Sequence, residues 1–149
     1  MRFSTSSRLR VAEPRHRRGV IDTSVVIDLE RIDPTVLPSE MAISAVTLAE
    51  LAAGPHATAD AVERARRQDR LQRTEATFEP LPIDGPVARA YGRVYAAVAA
   101  AGRKARGPRA FDLLIAATAL AAGFPLYTRN PDDFRELDGL VQVVAVPTQ

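Results

Sequence analysis

Three features of the sequence predict an α/β fold with a central, mostly parallel sheet. Short apolar runs of strand length, at Gly19 to Ile21, Met41 to Ile43, Pro125 to Thr128 and Val141 to Val146, alternate with longer stretches of helical periodicity. The runs are apolar at nearly every position, as strands covered on both faces require. Several lead directly into Asp, Ser, Thr or Asn, the residues that cap a following helix. With 149 residues, the chain is long enough for one core and short for two.

Val20 and Ile21 lead to Asp22, and Thr23 or Ser24 is expected to cap a helix running through Val25, Val26 and Ile27 to about Arg31. Asp33-Pro34 breaks it, because proline disfavours the α conformation in the residue before it. Met41 to Ile43 is a second strand of minimal length. Ser44 then caps a short helix carrying Val46, Leu48, Ala49, Glu50 and Ala52, which Gly54-Pro55 stops. From Ala57 to about Ala76 the pattern is helical, with Val62, Ala65 and Leu71 on one side. Arg66, Arg67, Arg70 and Arg73 lie on the other, a face read as plain helix surface. Phe78 to Ile83 is expected to form a third strand interrupted by prolines. An Ala-rich helix from about Pro86 to Ala101 ends at Gly102, and the charged loop Arg103 to Arg109 opens a helix from near Ala110 to Gly123. Asp112 is placed in the first turn of that helix. The strands at Pro125 to Thr128 and Val141 to Val146 flank a short helical stretch from Asp132 to Leu137.

A hydrophobic fraction of 46% with 26% charged residues is that of an ordinary soluble domain. The absence of cysteine excludes disulfides, thiolate zinc sites and cysteine nucleophiles. The longest uncharged stretch, Leu113 to Thr128, is sixteen residues interrupted by Gly123 and Pro125, short for a membrane span. The first nineteen residues hold no apolar core of a secretion signal, so a cytoplasmic location without membrane attachment is expected. The net charge of +2 is uneven: residues 1–19 carry six Arg and one Glu, and the rest of the chain sums to −3. Residues 1–18 are therefore expected to be a basic, flexible tail, with the folded domain at 19–149. Nineteen of the 20 basic residues are Arg, a coding preference that by itself says nothing about phosphate binding.

Ligands of an open parallel sheet bind outside the carboxyl ends of its strands. Asp22 ends the first strand, Glu50 follows the second, and Thr128-Arg129-Asn130 follows a later one with Asp132 and Asp133 just beyond. Asp112, near the start of a helix, faces the same edge. Carboxylates gathered this closely repel one another unless a cation compensates. An oxygen-only donor set without Cys favours hard ions, Mg²⁺ or Mn²⁺, which promote phosphodiester hydrolysis. Taken one at a time, the same residues have plainer readings. Asp22 is a good N-cap, Asp112 complements a helix dipole, and Glu50 suits an exposed helix face. His16, in the tail, and His56, after a helix-ending Gly-Pro, are not expected to bind metal.

Four segments, in order, resemble the PIN-domain nucleases and in particular the VapC-type toxins of bacterial toxin–antitoxin pairs. They are Val20-Ile21-Asp22-Thr23-Ser24-Val25-Val26-Ile27-Asp28-Leu29, Ile43-Ser44 through Leu48-Ala49-Glu50-Leu51, Phe111-Asp112-Leu113-Leu114-Ile115-Ala116-Ala117-Thr118-Ala119, and Leu126-Tyr127-Thr128-Arg129-Asn130-Pro131-Asp132-Asp133-Phe134. The resemblance implies a three-layer α/β/α PIN-like fold and a divalent-metal-dependent endoribonuclease that acts on tRNA or rRNA and inhibits translation. It implies that Asp22, Glu50 and Asp112 bind the metal. Family members differ at the fourth acidic position, where this chain has Asn130 directly after the strand and Asp133 before Phe134. Asp133 is assigned, with Asn130 as a polar contact in the cleft. Thr23 or Ser24 resembles the family's small hydroxyl residue near the metal. Asp28 is expected to point outward from its helix. The implied partners are RNA, a VapB-like antitoxin and a second copy of the chain in a homodimer. Arg103, Lys104, Arg106 and Arg109, just before Asp112, are expected to hold the RNA backbone, a solvated loop being the plainer alternative.

Two other readings stand beside this one. A phosphatase with Asp22 as nucleophile would form an aspartyl-phosphate, but such enzymes of the haloacid-dehalogenase type want a second Asp two positions on, where this chain has Ser24. A catalytically silent α/β binding module remains open because the fourth acidic position is altered.

Overall fold

The computed structural model of the protein describes residues 16–105 and 107–147. The tail as far as residue 15, and Arg106, lie outside the described residues. Four short strands, β1 (Arg18–Ile21), β2 (Glu40–Ala42), β3 (Leu126–Thr128) and β4 (Val143–Ala145), form one sheet in the order β2-β1-β3-β4. Every pairing is parallel. Val20 lies opposite Ala42 and Leu126, and Tyr127 opposite Ile21 and Val144, so β1 and β3 are the central pair. The helices are α1 (Thr23–Ile27), α2 (Ala45–Ala53), α3 (Ala61–Thr77), α4 (Gly85–Ala100) and α5 (Pro108–Ala122), joined by 3₁₀ turns.

Successive strand residues point to opposite faces, and the two cores follow from that alternation. Val20 and Leu126 pack into one cluster with Val87 and Val94 of α4 and Leu113 and Ala116 of α5. Ile21 and Tyr127 pack into the other with Val25 and Val26 of α1, Ile43 and Leu51. Helices thus cover both faces, giving the three-layer α/β/α arrangement expected. Gly19 is required by close approach: a Cβ there would sit 2.6 Å from Tyr127 Cε1 and 3.1 Å from Pro38 Cγ.

Several expectations are corrected. The sheet begins inside the segment assigned to the tail, since Arg18 belongs to β1 and both Arg17 and Arg18 pair with Glu40, at 3.0 and 3.2 Å. The first helix is capped by Asp22 rather than Thr23 or Ser24, and it stops at Ile27, giving way to a 3₁₀ turn at Leu29–Arg31. Phe78 to Ile83 is not a strand: Pro80 and Pro82 lack the donors a ladder needs, and a lone bridge joins Leu81 to Ser44. Asp112 lies two residues deeper than expected, because α5 already starts at Pro108. In α3, Val62 is 61% exposed, and this helix meets the core chiefly through Leu71 and Thr74.

Candidate active site

The chain turns sharply after β1, and that turn builds the first part of the site. Asp22 is 5% exposed. Its amide donates to the Tyr127 carbonyl (3.0 Å), extending the β1–β3 ladder by one bond. Its Oδ1 accepts from the Val25 amide (3.2 Å) and the Ser24 hydroxyl (2.5 Å). Burial pushes the Asp22 pKa up, against the pull of hydrogen bonds from Ser24, Thr128 and Val25. Ser24 Oγ in turn accepts from the Arg129 amide (3.1 Å), tying the turn after β1 to the turn after β3. Asp22 therefore caps α1, as the plainer reading has it, and also lies at the carboxyl edge of the central strands.

Glu50 enters from α2. Ser44 caps that helix through the Val46 amide (3.1 Å), as expected. The Thr23 hydroxyl donates to Glu50 Oε1 (2.6 Å) and lies 3.0 Å from the hydroxyl of Thr47. A cleft of about 400 Å³ between α1, α2 and α3, lined by Thr23, Ile27, Glu50, Arg67 and Arg70 among others, opens from this point.

Asp112 on α5 brings the acidic groups together. Burial and then the charges of Glu50, Asp133 and Asp22 push its pKa up to about 6, with nearby Arg109 acting the other way. Three carboxylates far from it in sequence thus act on Asp112. Asp133, rather than Asp132, is the acid of its segment whose charge reaches Asp112. Asn130 is exposed, and its amide donates to Thr128 Oγ1 (3.0 Å). His16 sits edge-on to Tyr127 (6.3 Å between ring centroids), near the start of β1 and so at the opposite end of the sheet from Asp22.

The donor set suits a hard divalent ion, being all oxygen and crowded with like charge. As the side chains stand, no three His, Cys, Asp or Glu groups among the described residues are close enough to share an ion. Asp112 and Asp133, neither of them buried, are free to turn toward an ion that Asp22 and Glu50 would hold, at a modest cost.

The loop expected to meet RNA is divided. Lys104 is exposed. Arg103 and Arg109 instead reach Glu136, at 2.6 and 2.5 Å, whose side chain is only 4% exposed. Arg109 Nη2 also donates to the main-chain carbonyl of Asp133 (2.6 Å). Sequence reasoning missed Glu136. The available signal was its spacing of three from Asp133, which puts both on one side of a 3₁₀ turn.

The PIN domain family model matches residues 19–140, and the chain belongs to the PIN-domain family. Within that family it is similar to Ribonuclease VapC5 of Mycobacterium tuberculosis, 40% identical over 128 residues that cover 84% of this chain and 91% of the relative. It is similar also to Ribonuclease VapC4 of the same organism, 39% identical over 119 residues, 78% of this chain and 88% of that one. Among solved structures, VapBC-5 from M. tuberculosis, a member of the VapBC family of toxin–antitoxin systems, aligns with a TM-score of 0.75 at 38% identity. That alignment covers 89% of this chain and 99% of the other.

Proposed function

We propose that this protein is a divalent-metal-dependent endoribonuclease and the toxin of a toxin–antitoxin pair. On this reading it cleaves RNA, with tRNA or rRNA as the substrate class, and so inhibits translation. The observation that carries the reading is that the charges of Glu50, Asp133 and Asp22 all reach Asp112, with Asp22 at the carboxyl edge of a parallel sheet. The names of its relatives, ribonucleases VapC5 and VapC4, support the same activity.

Asp22, Glu50, Asp112 and Asp133 are the residues that would hold Mg²⁺ or Mn²⁺. Such an ion, when bound, would make a water more acidic and offset the charge that builds on the phosphodiester during in-line attack. Ser24 and the Val25 amide keep Asp22 in one rotamer, and Thr23 does the same for Glu50. Exposed Lys104, with Arg103 and Arg109 beside it, offers positive charge to an approaching RNA backbone, Arg106 of the same loop is proposed for the same role from its sequence position alone, and Asn130 offers an exposed polar contact. A VapB-like antitoxin is the proposed protein partner, in line with the VapBC assembly that the fold matches, and a homodimer is the proposed assembly. A cytoplasmic location goes with an RNA substrate; among the described residues no helix is long and apolar enough to cross a membrane.

The test is incubation of purified protein with total cellular RNA and with short defined RNAs, in Mg²⁺, in Mn²⁺ and in EDTA, beside Asp22→Asn. Cleavage is expected only from the wild type with metal. Cutting that persists in EDTA and in the variant would remove the metal-dependent reading, and a wild type that cuts nothing under either ion would leave a binding module.

A further inference from the structure

Two structural ties meet in one guanidinium. Arg109 is three residues before Asp112 on α5, so the two side chains share a helix face. From there Arg109 Nη2 reaches the Glu136 carboxylate (2.5 Å) and the main-chain carbonyl of Asp133 (2.6 Å). We infer that Arg109, locked by buried Glu136, is a positioning residue that sets Asp133 against Asp112 and thereby governs how tightly the site takes a divalent cation. The inference rests on the metal-binding reading above.

The physical case begins with Glu136. Its side chain is 4% exposed, and burying a carboxylate so deeply is costly unless it is well paired. Arg103 Nη1 (2.6 Å) and Arg109 Nη2 (2.5 Å) provide that pairing with charge-assisted bonds. Once so held, the Arg109 head group cannot swing without breaking its own short bond to Glu136 Oε1, which leaves that buried oxygen without its partner while Arg103 holds Oε2. Its bond to the Asp133 carbonyl is therefore a fixed strut between α5 and the 3₁₀ stretch Pro131–Leu137. That stretch needs one: 3₁₀ hydrogen bonds are poorly aligned, and Asp133 itself is exposed. Arg109 Nε is buried with no hydrogen-bond partner, a cost the fold carries while Nη2 serves two acceptors.

A competing role, direct contact with RNA phosphate, fits Arg109 less well. Its side chain is 17% exposed and Nη2 is already spent on protein acceptors, whereas Lys104 nearby is exposed. The two roles separate kinetically. A phosphate contact changes KM and its salt dependence, while a strut behind a metal ligand changes metal affinity and kcat.

The experiment compares wild type with Arg109→Gln, Arg109→Lys and Glu136→Gln, alone and in an Asp133→Asn background. Mn²⁺ binding is measured by calorimetry without RNA, folding by circular dichroism, and kcat and KM on a short RNA. Outer partners of metal ligands typically set affinity by 10–100-fold, so Arg109→Gln and Glu136→Gln are each expected to weaken Mn²⁺ about tenfold and to lower kcat at constant KM. Arg109→Lys keeps the charge beside Glu136 and is expected to retain fold and part of the affinity. With Asp133 already neutral, the Arg109→Gln effect on Mn²⁺ should nearly vanish. Unchanged Mn²⁺ affinity beside a lower melting temperature would overturn the inference, as would a raised KM with a weaker salt dependence, or full additivity with Asp133→Asn. A folded wild type that takes up no Mn²⁺ would end the metal reading and this inference together, an outcome distinct from variants that match a metal-binding wild type.

Discussion

The Thr23 hydroxyl donates to Glu50 Oε1 at 2.6 Å, linking the first residue of α1 to a carboxylate 27 residues later on α2. The bond holds a long side chain that would otherwise sample several rotamers. Thr23→Val removes the donor at nearly constant shape. It is expected to cost about 1 kcal/mol of stability, a typical net value for one hydrogen bond. It should also weaken Mn²⁺ severalfold, while Thr23→Ser, which keeps the hydroxyl, restores affinity. Calorimetric titration of the three proteins decides it, and equal affinities would mean that Glu50 needs no anchor.

Asp112 makes the metal-free protein sensitive to pH. Its pKa is raised from 3.8 to about 6, so the folded state holds this proton more tightly than the unfolded chain. Below pH 3.8 both states are protonated and no penalty arises; as pH rises toward 6, folding increasingly traps a charge it disfavours, and stability is lost. Because the group is partly solvated, the penalty is on the order of 1 kcal/mol rather than the full value of the shift. Asp112→Asn is therefore expected to raise the melting temperature in EDTA at pH 7.5 by a few degrees and to change it little near pH 3.5. With saturating Mg²⁺ the order should reverse, since only the wild type gains binding energy. Thermal melts at the two pH values, with and without the ion, check both signs.

Gly19→Ala tests the central strand pair. The added methyl would lie 2.6 and 2.8 Å from Tyr127 ring atoms and 3.1 Å from Pro38, inside a sheet whose neighbours cannot withdraw freely. Overpacking of this kind costs about 1–3 kcal/mol. Urea unfolding should show a lower midpoint at constant slope. An unchanged midpoint would mean that Tyr127 has room to move.

What the sequence disclosed divides along the same physical line. Continuous apolar runs ending in capping residues marked β1, β2 and β3, and the Gly-Pro and Gly punctuation marked the ends of α2 and α5. That Asp22 ends β1 and Glu50 follows β2 was legible from those runs, whereas grouping them with Asp112 as metal-binding acids came from the family resemblance. Phe78 to Ile83 misled because its apolar content resembles a strand while Pro80 and Pro82 deny it a ladder. The α3 face was misjudged because Val62 and Ala65 fit the helical period yet stay exposed, and periodicity says nothing about the neighbour. Most opaque were side-chain partnerships across long separations. Glu136 with Arg103 and Arg109 has no local pattern, since its partners lie 33 and 27 residues earlier.

Asp28 and Arg129 form another such partnership, and it separates structure from catalysis. Asp28 follows α1 and was expected to face outward; instead its carboxylate meets Arg129, and the side chains are 28% and 13% exposed. The Arg129 amide holds Ser24, so the pair braces the turn that carries Asp22 from its far side. Asp28→Asn leaves a largely buried guanidinium without its counter-charge, which is expected to cost about 2 kcal/mol, less than for a fully buried pair. Replacing both residues with apolar ones, Asp28→Leu with Arg129→Met, should recover much of that loss, because no charge is then stranded. Asp28→Asn should nonetheless bind Mn²⁺ within about twofold of wild type at temperatures where it is folded, since Asp28 spends its carboxylate on arginine. A tenfold drop in that affinity would place Asp28 among the metal-binding acids and would require the cluster around Asp112 to be redrawn.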